Sequence, residues 1–285
     1  YASVAKSADL WLVEALQHRH GADLTFRVGG ADTGLSGFGV TDETDEEVPL
    51  LPNDSYREIT GVTAATRVAE FEASINGRPG MLPVRYLAIE RIDFPQVAYF
   101  RRDYATESIG TLMNRLGTAN EGVLLPESLA AELGLGIGDP LSLNTTPVRD
   151  MRLRLDLRVA GFFEHFPTMY PSESPVVVGN LDYLDLNAWD VLPYQVWLRV
   201  APGTDTAEVL DDVRRMGIKI HAEQDLTRVL ADESQNLERT GIFGLLSICF
   251  LAGAVLSVAD LLVHSTFMLR ERTMVHAVLG ALGVP

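Results

Sequence analysis

The amino-acid sequence predicts an α+β extracytoplasmic domain on a helical stalk, followed by one transmembrane α-helix. Short strand and helix patterns alternate through the middle of the chain, a helical pattern begins it, and a long apolar run lies near its C-terminal end. The chain has 285 residues, 47% of them hydrophobic, which is enough for a substantial core. The mean hydropathy is +0.10 despite a net charge of −16, because the apolar residues are concentrated in that run.

The charge of the chain argues against nucleic acid as a partner. With 23 Lys and Arg against 39 Asp and Glu, the surface is not suited to holding phosphate backbones. The sole cysteine, Cys249, lies inside the apolar run, so the outer domain has no disulfide bonds. We therefore expect packing alone to hold that domain together.

The N-terminal residues 1–21 predict a stalk helix. Apolar residues recur there at helical spacing as far as Gly21: Val4, Leu10, Leu12, Val13 and Leu16. The chain begins without the charged and apolar regions of a signal peptide. We expect this helix to continue an upstream transmembrane helix, and the chain to be a fragment of a multi-span membrane protein.

Residues 22–222 predict the α+β domain, with a hairpin at its clearest point. The turn sequence Asn76-Gly77-Arg78-Pro79-Gly80 separates the strand patterns Arg67–Ile75 and Met81–Ile89. Further strands are predicted at Asp23–Val28, Tyr56–Thr63, Val123–Leu125, Leu141–Leu143, Met151–Phe163, Val176–Val178, Gln195–Val200 and Ile218–His221. Helices are predicted at Asp103–Leu116, Pro126–Leu133, Leu181–Leu186 and Thr206–Met216. A return stalk helix is predicted over residues 223–241.

An acidic loop interrupts the domain at residues 32–52. The glycine-rich sequence GLSGFG precedes TDETDEEVP there. We interpret the segment as a solvated, flexible excursion. Its acids lack the alternating positions and central glycine of an EF-hand, so a calcium site is a weak alternative.

Residues 242–268 predict the transmembrane helix. Asp260 is the only charged residue from Ile242 to Val263, and about 20 apolar residues match a hydrocarbon layer of about 30 Å. A buried core helix of this length would normally show a polar stripe, and none precedes Asp260. Acidic residues lie before the run, whereas Arg270 and Arg272 follow it, so the C-terminal end is predicted to be cytoplasmic and residues 1–240 extracytoplasmic.

No catalytic or metal-binding motif is found in the sequence. GLSGFG does not have the spacing of a G-x-S-x-G elbow, and no H-E-x-x-H sequence occurs. His18 and His20 would point about 200° apart on a helix, so we interpret them as surface histidines at a helix end. His165 is interpreted as a packed or turn-capping histidine rather than an acid–base group. The glycines of GLGIGD, residues 134–139, are interpreted as helix caps.

Three segments resemble permeases of ABC transporters. The sequence GVLLPESLAAELGLGIGDPLSL, residues 122–143, resembles the periplasmic core domain of MacB-type permeases, and VAGFFEHFP, residues 159–167, is similar to a strand of that domain. After the apolar run, Glu271-Arg272 and Leu279-x-Ala281-Leu282-Gly283 are similar to the cytoplasmic signature of FtsX-like permeases. The resemblance spans nearly the whole chain.

The resemblance implies that residues 270–285 form a coupling-helix segment that docks on a cytoplasmic ATPase. The implied coupling residues are Glu271, Arg272, Met274, Val278, Leu279, Ala281, Leu282 and Gly283. Val275 and Gly280 stand where the family usually has Glu and Arg, which puts ordinary coupling in doubt and suggests the degenerate half of a larger permease. Independently, apolar spacing from Met274 to Leu282 predicts an amphipathic helix suited to a partner or to the lipid surface.

The implied function is that of a non-catalytic permease subunit in the bacterial cell (inner) membrane. ATP and Mg²⁺ would be bound by the partner ATPase, in keeping with the lack of a G-x-x-x-x-G-K-[ST] sequence here. The implied partners are that ATPase, a second permease half or copy and the lipid bilayer, with a lipid, lipoprotein, peptide or cell-wall hydrolase as further candidates. Two alternatives are a single-pass anchored binding or sensing module and, less favoured, an anchored hydrolase.

Overall fold

The computed structural model describes residues 2–28, 50–76, 80–147, 151–170, 173–188, 192–234, 248–265 and 268. The helices are α1 Ala2–His20, α2 Asn53–Arg57, α3 Phe94–Val97, α4 Ile109–Leu116, α5 Glu127–Leu133, α6 Leu181–Ala188, α7 Thr206–Arg215 and α8 Leu226–Ser234. The strands are β1 Leu24–Val28, β2 Val62–Asn76, β3 Met81–Ile89, β4 Gly122–Pro126, β5 Pro140–Thr145, β6 Leu153–Phe163, β7 Val176–Asn180, β8 Tyr194–Val200 and β9 Ile220–Asp225.

The chain divides into two compact units. One is the mixed α+β domain, Lys6–Leu230. The other comprises residues 1–5 and 231–285 and contains the apolar helix Ile248–Ser265. The predicted fold class, an α+β domain with one candidate transmembrane helix near the C-terminal end, is confirmed.

Six strands of the α+β domain form a closed ring. β2 pairs with β3, and the ring continues through β7, β4, β6 and β5 back to β2. The β3–β7 and β4–β6 pairs are parallel, and the other four are antiparallel. Because a closed ring leaves no long open edge, its strands are protected from slipping or pairing with other chains.

The long strand β2 also carries a second, open set of strands. Its first half pairs with β8 from Val62 to Val68, whereas its last residues pair with β5. β8 then pairs with β1, and β1 with β9, all antiparallel. One strand of 15 residues therefore joins the ring to the sheet that carries the N-terminal helix.

Alternating apolar residues fill the inside of the ring. Every second residue of β2 from Ala69 to Ile75, and alternate residues of β3, β5 and β6, belong to one buried cluster, which extends beneath helices α2, α6 and α7. Its ring-facing members include Phe71, Ala73, Ile75, Val84, Tyr86, Val123, Leu125, Leu141, Leu143, Leu155, Leu157 and Val177.

A second buried cluster covers the outer face of the ring beneath α3 and α4. Phe94, Phe166 and Trp197 lie at its centre, with ring centroids 5.6 Å apart for the Phe94–Phe166 pair and 5.7 Å apart for the Phe94–Trp197 pair. Ser108 caps α4 by accepting a hydrogen bond from the backbone N–H of Thr111. The two clusters therefore cover both faces of β2 and β3.

Most of the predicted strands are confirmed, and the hairpin Arg67–Ile75 with Met81–Ile89 is paired in register from Val68 to Asn76. The strand predicted at Tyr56–Thr63 is wrong, because α2 occupies Asn53–Arg57 and β2 begins only at Val62. The helix predicted at Asp103–Leu116 begins at Ile109, where the Ser108 cap lies. Glu223 belongs to β9, so the return helix begins at Leu226. Residues 32–49 of the acidic loop lie outside the described residues.

Gly179 of β7 offers a test of packing inside the ring. A Cβ atom at this position would lie 2.2 Å from the Tyr86 hydroxyl oxygen and 2.8 Å from two ring carbons. We therefore expect Gly179→Ala to lower the free energy of unfolding by about 1–3 kcal/mol, measured by urea denaturation of the full chain. Gly80→Ala is the control, because nothing lies within 4 Å of a Cβ there. Equal changes in the free energy of unfolding for Gly179→Ala and Gly80→Ala would contradict the packing of Gly179 against Tyr86.

Candidate functional site

The candidate functional site is the junction where helix α1 enters the α+β domain. α1 ends at His20, and the N–H of Gly21 donates to the carbonyl of Gln17 at 2.9 Å. Gly21 has φ +75°, and a Cβ there would lie 2.5 Å from the indole of Trp197. Only glycine therefore allows the chain to turn from α1 into β1 this close to the core.

Asp23 connects three parts of the domain at this junction. The residue is only 8% exposed, and its carboxylate accepts a hydrogen bond from the Val200 N–H at 2.9 Å and another from the Tyr99 hydroxyl. Burial, together with the hydrogen bond to Asp23, raises the pKa of Tyr99 to about 12. Loss of either donor would be costly, because it would leave a buried carboxylate without one of its hydrogen bonds.

The backbone of Asp23 also holds the start of α8. Its carbonyl accepts a hydrogen bond from the Leu226 N–H at 2.9 Å, and β1 pairs with β9 at Leu24 and Asp225. Asp225 supports the first turn of α8, since its carboxylate accepts from the Arg228 N–H at 3.0 Å and the Thr227 hydroxyl at 2.6 Å. The two helices therefore join the domain at adjacent strands, through a shared hydrogen bond.

His18 connects α1 to residues 164–170, the segment that follows β6. Its Nε2 lies 2.7 Å from the carbonyl oxygen of Met169 and its Nδ1 lies 2.7 Å from the Tyr104 hydroxyl. A carbonyl can only accept, so in the neutral imidazole Nε2 carries the proton and Nδ1 accepts from Tyr104. The rings of Tyr104 and Tyr170 stand edge-on to the imidazole, which is thereby fixed on both sides.

A polar chain leads from His18 into the ring of strands. The Thr168 N–H donates to the His18 carbonyl at 2.8 Å, and the Thr168 carbonyl accepts from the guanidinium of Arg85 on β3. Arg85 pairs in turn with Glu70 of β2 at 2.9 Å and with Glu173 at 3.2 Å. Burial raises the pKa of Glu70, so its ionised form depends on Arg85. The helix end is thus connected to two strands of the ring.

The apolar helix Ile248–Ser265 has a uniformly exposed surface within its own unit. Its 18 residues have a mean hydropathy of 1.9, and all of them are exposed. By length and composition the helix can cross a membrane. A helix that is predominantly apolar and uncovered within its own unit is suited to an apolar surrounding such as a lipid bilayer.

The eight coupling residues named from the resemblance, Glu271 to Gly283, lie outside the described residues, so their prediction stays untested. In the part of the chain that is described, no three His, Cys, Asp or Glu side chains are grouped to hold a metal ion. The ring of His165 packs edge-on against Tyr104, and the backbone N–H of His165 donates to the Tyr104 carbonyl at 3.0 Å. Gly134 ends α5 with φ +66°, as expected for a helix cap.

The interpretation of His18 as a surface histidine is wrong, and Asp23 and Tyr104 were not identified from the sequence. His18 is half-buried because the segment after β6 folds back over the last turn of α1. The sequence contained one relevant signal: the motif VAGFFEHFP ends at Pro167, directly before the segment that contacts His18. The partners lie 86 and 151 positions away along the chain, so helical spacing alone could not reveal them.

A cavity of about 560 Å³ lies far from this junction along β2. It is placed between the ends of the hairpins β2–β3 and β5–β6, and is lined by residues of both, among them Glu72, Met81, Arg152 and Arg154. β2 begins opposite Val200 beside the junction and ends at Asn76 near this cavity. The strand therefore runs from the stalk to the opposite end of the domain.

Structure comparison finds similarity to extracytoplasmic domains of FtsX/MacB-type ABC transporter permeases. A domain of a putative permease protein from Porphyromonas gingivalis has 18% identity and a TM-score of 0.37, over 70% of this chain and 83% of that one. The extracellular domain of the noncanonic ABC-type transporter YknZ from Gram-positive bacteria has 11% identity and a TM-score of 0.38, over 75% and 94%. The periplasmic region of MacB from Actinobacillus actinomycetemcomitans has 9% identity and a TM-score of 0.44, over 76% and 94%.

No family model matches the sequence, and no curated protein matches it either.

The Asp23 carboxylate is expected to be essential to the junction. Asp23→Ala leaves the buried Val200 N–H and the Tyr99 hydroxyl without their acceptor, and should lower the free energy of unfolding by about 1–3 kcal/mol in urea denaturation. Asp205→Ala is a control that removes an exposed cap on α7. An Asp23→Ala effect no larger than that of the control would contradict the role of Asp23.

The His18 contacts are expected to protect the segment after β6. His18→Ala removes the hydrogen bonds to Met169 and Tyr104, so hydrogen exchange at the Thr168 amide should become faster. Arg19→Ala, at an exposed neighbouring position, should leave that exchange unchanged. The measurement is amide exchange by mass spectrometry on the full chain. Unchanged protection in His18→Ala would show that the imidazole does not hold the two parts together.

Proposed function

We propose that the chain belongs to the permease subunit of an ABC transporter of the FtsX/MacB type. In this proposal the subunit transmits ATP-driven motion of a separate cytoplasmic ATPase to the extracytoplasmic domain. The proposal rests on three sequence segments that resemble the family, on the apolar helix, and on the geometry of the junction. ATP with Mg²⁺ would be bound by the ATPase, and the chain itself would be non-catalytic.

The observation that carries the proposal is the shared attachment of α1 and α8. The Asp23 carbonyl accepts from the Leu226 N–H, while the Asp23 carboxylate accepts from Val200 and Tyr99. A displacement of either helix along its axis therefore acts on the same buried residue and, through Val200, on β8. An anchor that merely tethered a binding domain would not need to hold both helices at one point in the core.

The polar chain from His18 provides a second connection for such motion. The last turn of α1 bonds to Thr168 and Met169, and Thr168 bonds to Arg85 on β3. Since β3 belongs to the closed ring, a shift of α1 would move the ring as one body rather than bend one strand. We therefore expect the domain to move together with α1.

Force would enter at the cytoplasmic end through residues 270–285. In the proposed arrangement Met274, Val278 and Leu282 form the apolar face that docks on the ATPase, with Leu279, Ala281 and Gly283 completing the motif. Glu271 and Arg272 would provide its polar start. A second permease half or copy would complete the membrane part, in the bacterial inner membrane.

Export, the handling of a lipid or lipoprotein, binding of a peptide, and activation of a cell-wall hydrolase all use the same motion of an extracytoplasmic domain. The alternative, a single-pass anchored sensing module, needs no ATPase. A dependence of ATP hydrolysis on the coupling residues separates the two.

Substitutions in the coupling segment test the proposal. Met274→Asp or Leu282→Asp places a charge on the apolar face, so each should abolish the stimulation of ATP hydrolysis in the ATPase that copurifies with the full-length protein. His276→Asp is the matched control, because helical spacing puts residue 276 on the opposite face. Full stimulation in both apolar-face variants would refute the coupling role.

A further inference from the structure

A second cavity, of about 310 Å³, lies in the α+β domain beside the end of α4. It is lined by two turns, residues 117–121 after α4 and residues 134–139 before β5, and by the strands β4 and β6. Pockets that hold small molecules have volumes of about 300–1,000 Å³, so this cavity is large enough for a small ligand.

Both turns are held in place by hydrogen bonds. The buried Asn180 side chain donates to the carbonyls of Leu116 and Asn120 at 2.9 Å and 3.0 Å, which fixes the first turn. The second turn is bound to β6, because the Gly138 N–H donates to the Val159 carbonyl at 2.7 Å. The cavity is therefore preformed, and a ligand would lose little binding energy to the ordering of its walls.

The surface of the cavity is predominantly apolar. Ala119, Gly122 and Ala160 contribute small side chains or none, which leaves the space between the turns open. Ile137 also lines the cavity, and 58% of its surface is exposed. Such a lining favours a hydrocarbon group over a sugar or a nucleotide, whose polar groups would be left without hydrogen-bond partners.

One unneutralised charge lies at this apolar cavity. The Arg158 guanidinium donates to the Gly138 carbonyl at 2.7 Å and pairs with no carboxylate of the residues that the structure describes. The other arginine that lines the cavity, Arg115, forms an ion pair with Glu107. A guanidinium has five N–H donors, so Arg158 keeps both its charge and several donors for an acidic group of a ligand.

We propose that this cavity binds a single-chain anionic amphiphile, such as the carboxylate of a medium-chain fatty acid. The aliphatic chain would lie against Ile137 and Ala160, and the carboxylate would pair with Arg158. The cavity has room for roughly ten non-hydrogen atoms if each takes about 30 Å³, the share of one water molecule in the liquid. That volume matches one short chain with its head group and is too small for a lipid with two acyl chains.

This inference goes beyond the proposed function. It rests on contacts within the α+β domain, whereas the transfer of motion from an ATPase rests on the coupling residues and the stalk. Either can therefore fail without the other.

Photoaffinity labelling with a diazirine derivative of octanoate tests the site. The full-length protein in lipid nanodiscs is irradiated with the probe and digested for mass spectrometry. The expected result is saturable labelling of peptides that contain residues 115–122, 137–138 or 158–160, which unlabelled octanoate suppresses. At equal free concentration in the water, octan-1-ol and octylamine should compete about tenfold more weakly or less, because neither offers Arg158 a negative charge. Equal competition by octan-1-ol, or labelling confined to other peptides, would overturn the proposal.

Two pairs of variants test the contacts of the head group and of the chain. Arg158→Gln removes the charge and Ile137→Asp adds a repelling one, so each should raise the probe concentration for half-maximal labelling about tenfold or more. The matched controls are Arg152→Gln and Met81→Asp, because both residues are exposed and line the larger cavity instead. All four positions are exposed, so the variants should fold. Unchanged labelling in Arg158→Gln and Ile137→Asp would overturn the proposal, and so would a loss confined to the controls.

Discussion

The buried carboxylate of Asp23 is the group on which the arrangement of the molecule depends. A carboxyl group buried in an apolar environment is tolerated only with hydrogen-bond partners, and Asp23 finds them in the Val200 N–H and the Tyr99 hydroxyl. Those donors belong to β8 and to the segment after α3, while the backbone of Asp23 holds Leu226. The Asp23 carboxylate therefore ties the chain after α1 to β8 and Tyr99, and its backbone carbonyl ties the start of α8 to the same residue. The cation–π contact of Arg199 over the ring of Tyr99, 4.7 Å to its centroid, holds one of the donors in place.

In the proposed function, the closed ring would allow such a junction to act at a distance. In an open sheet, the displacement of one strand can be absorbed when the edge strand slips along its neighbour. Here β2 and β3 are paired over nine residues, and β2 is joined to β5 and β8 along its other edge. The space inside is filled by side chains in full contact, so that Tyr86 leaves room for no more than glycine at position 179. A body packed in this way transmits displacement instead of deforming.

The sequence predicted the helices and strands that are determined by neighbouring residues. It missed the contacts that form only when the ring of strands closes. The hairpin followed from Asn76-Gly77 and from alternation on both sides, and β6 followed from a long alternating run. Helix α2 was missed because Tyr56 and Ile59 read as the start of a strand, whereas the turn at Gly61 separates them from β2. The roles of His18 and Asp23 could not be predicted, because their partners come from segments that only the ring brings together. The coupling residues were inferred by resemblance, and the apolar spacing from Met274 to Leu282 indicates a docking face without identifying the surface that it meets.

The central claim is that α1 and the ring move as one body. The most direct measurement is the distance between spin labels at Arg19→Cys on α1 and Arg152→Cys at the far hairpin, in full-length protein carrying Cys249→Ser and bound to the proposed ATPase. The account predicts a narrow distance distribution that is the same with and without ATP. A broad distribution, or a shift when ATP is added, would contradict it.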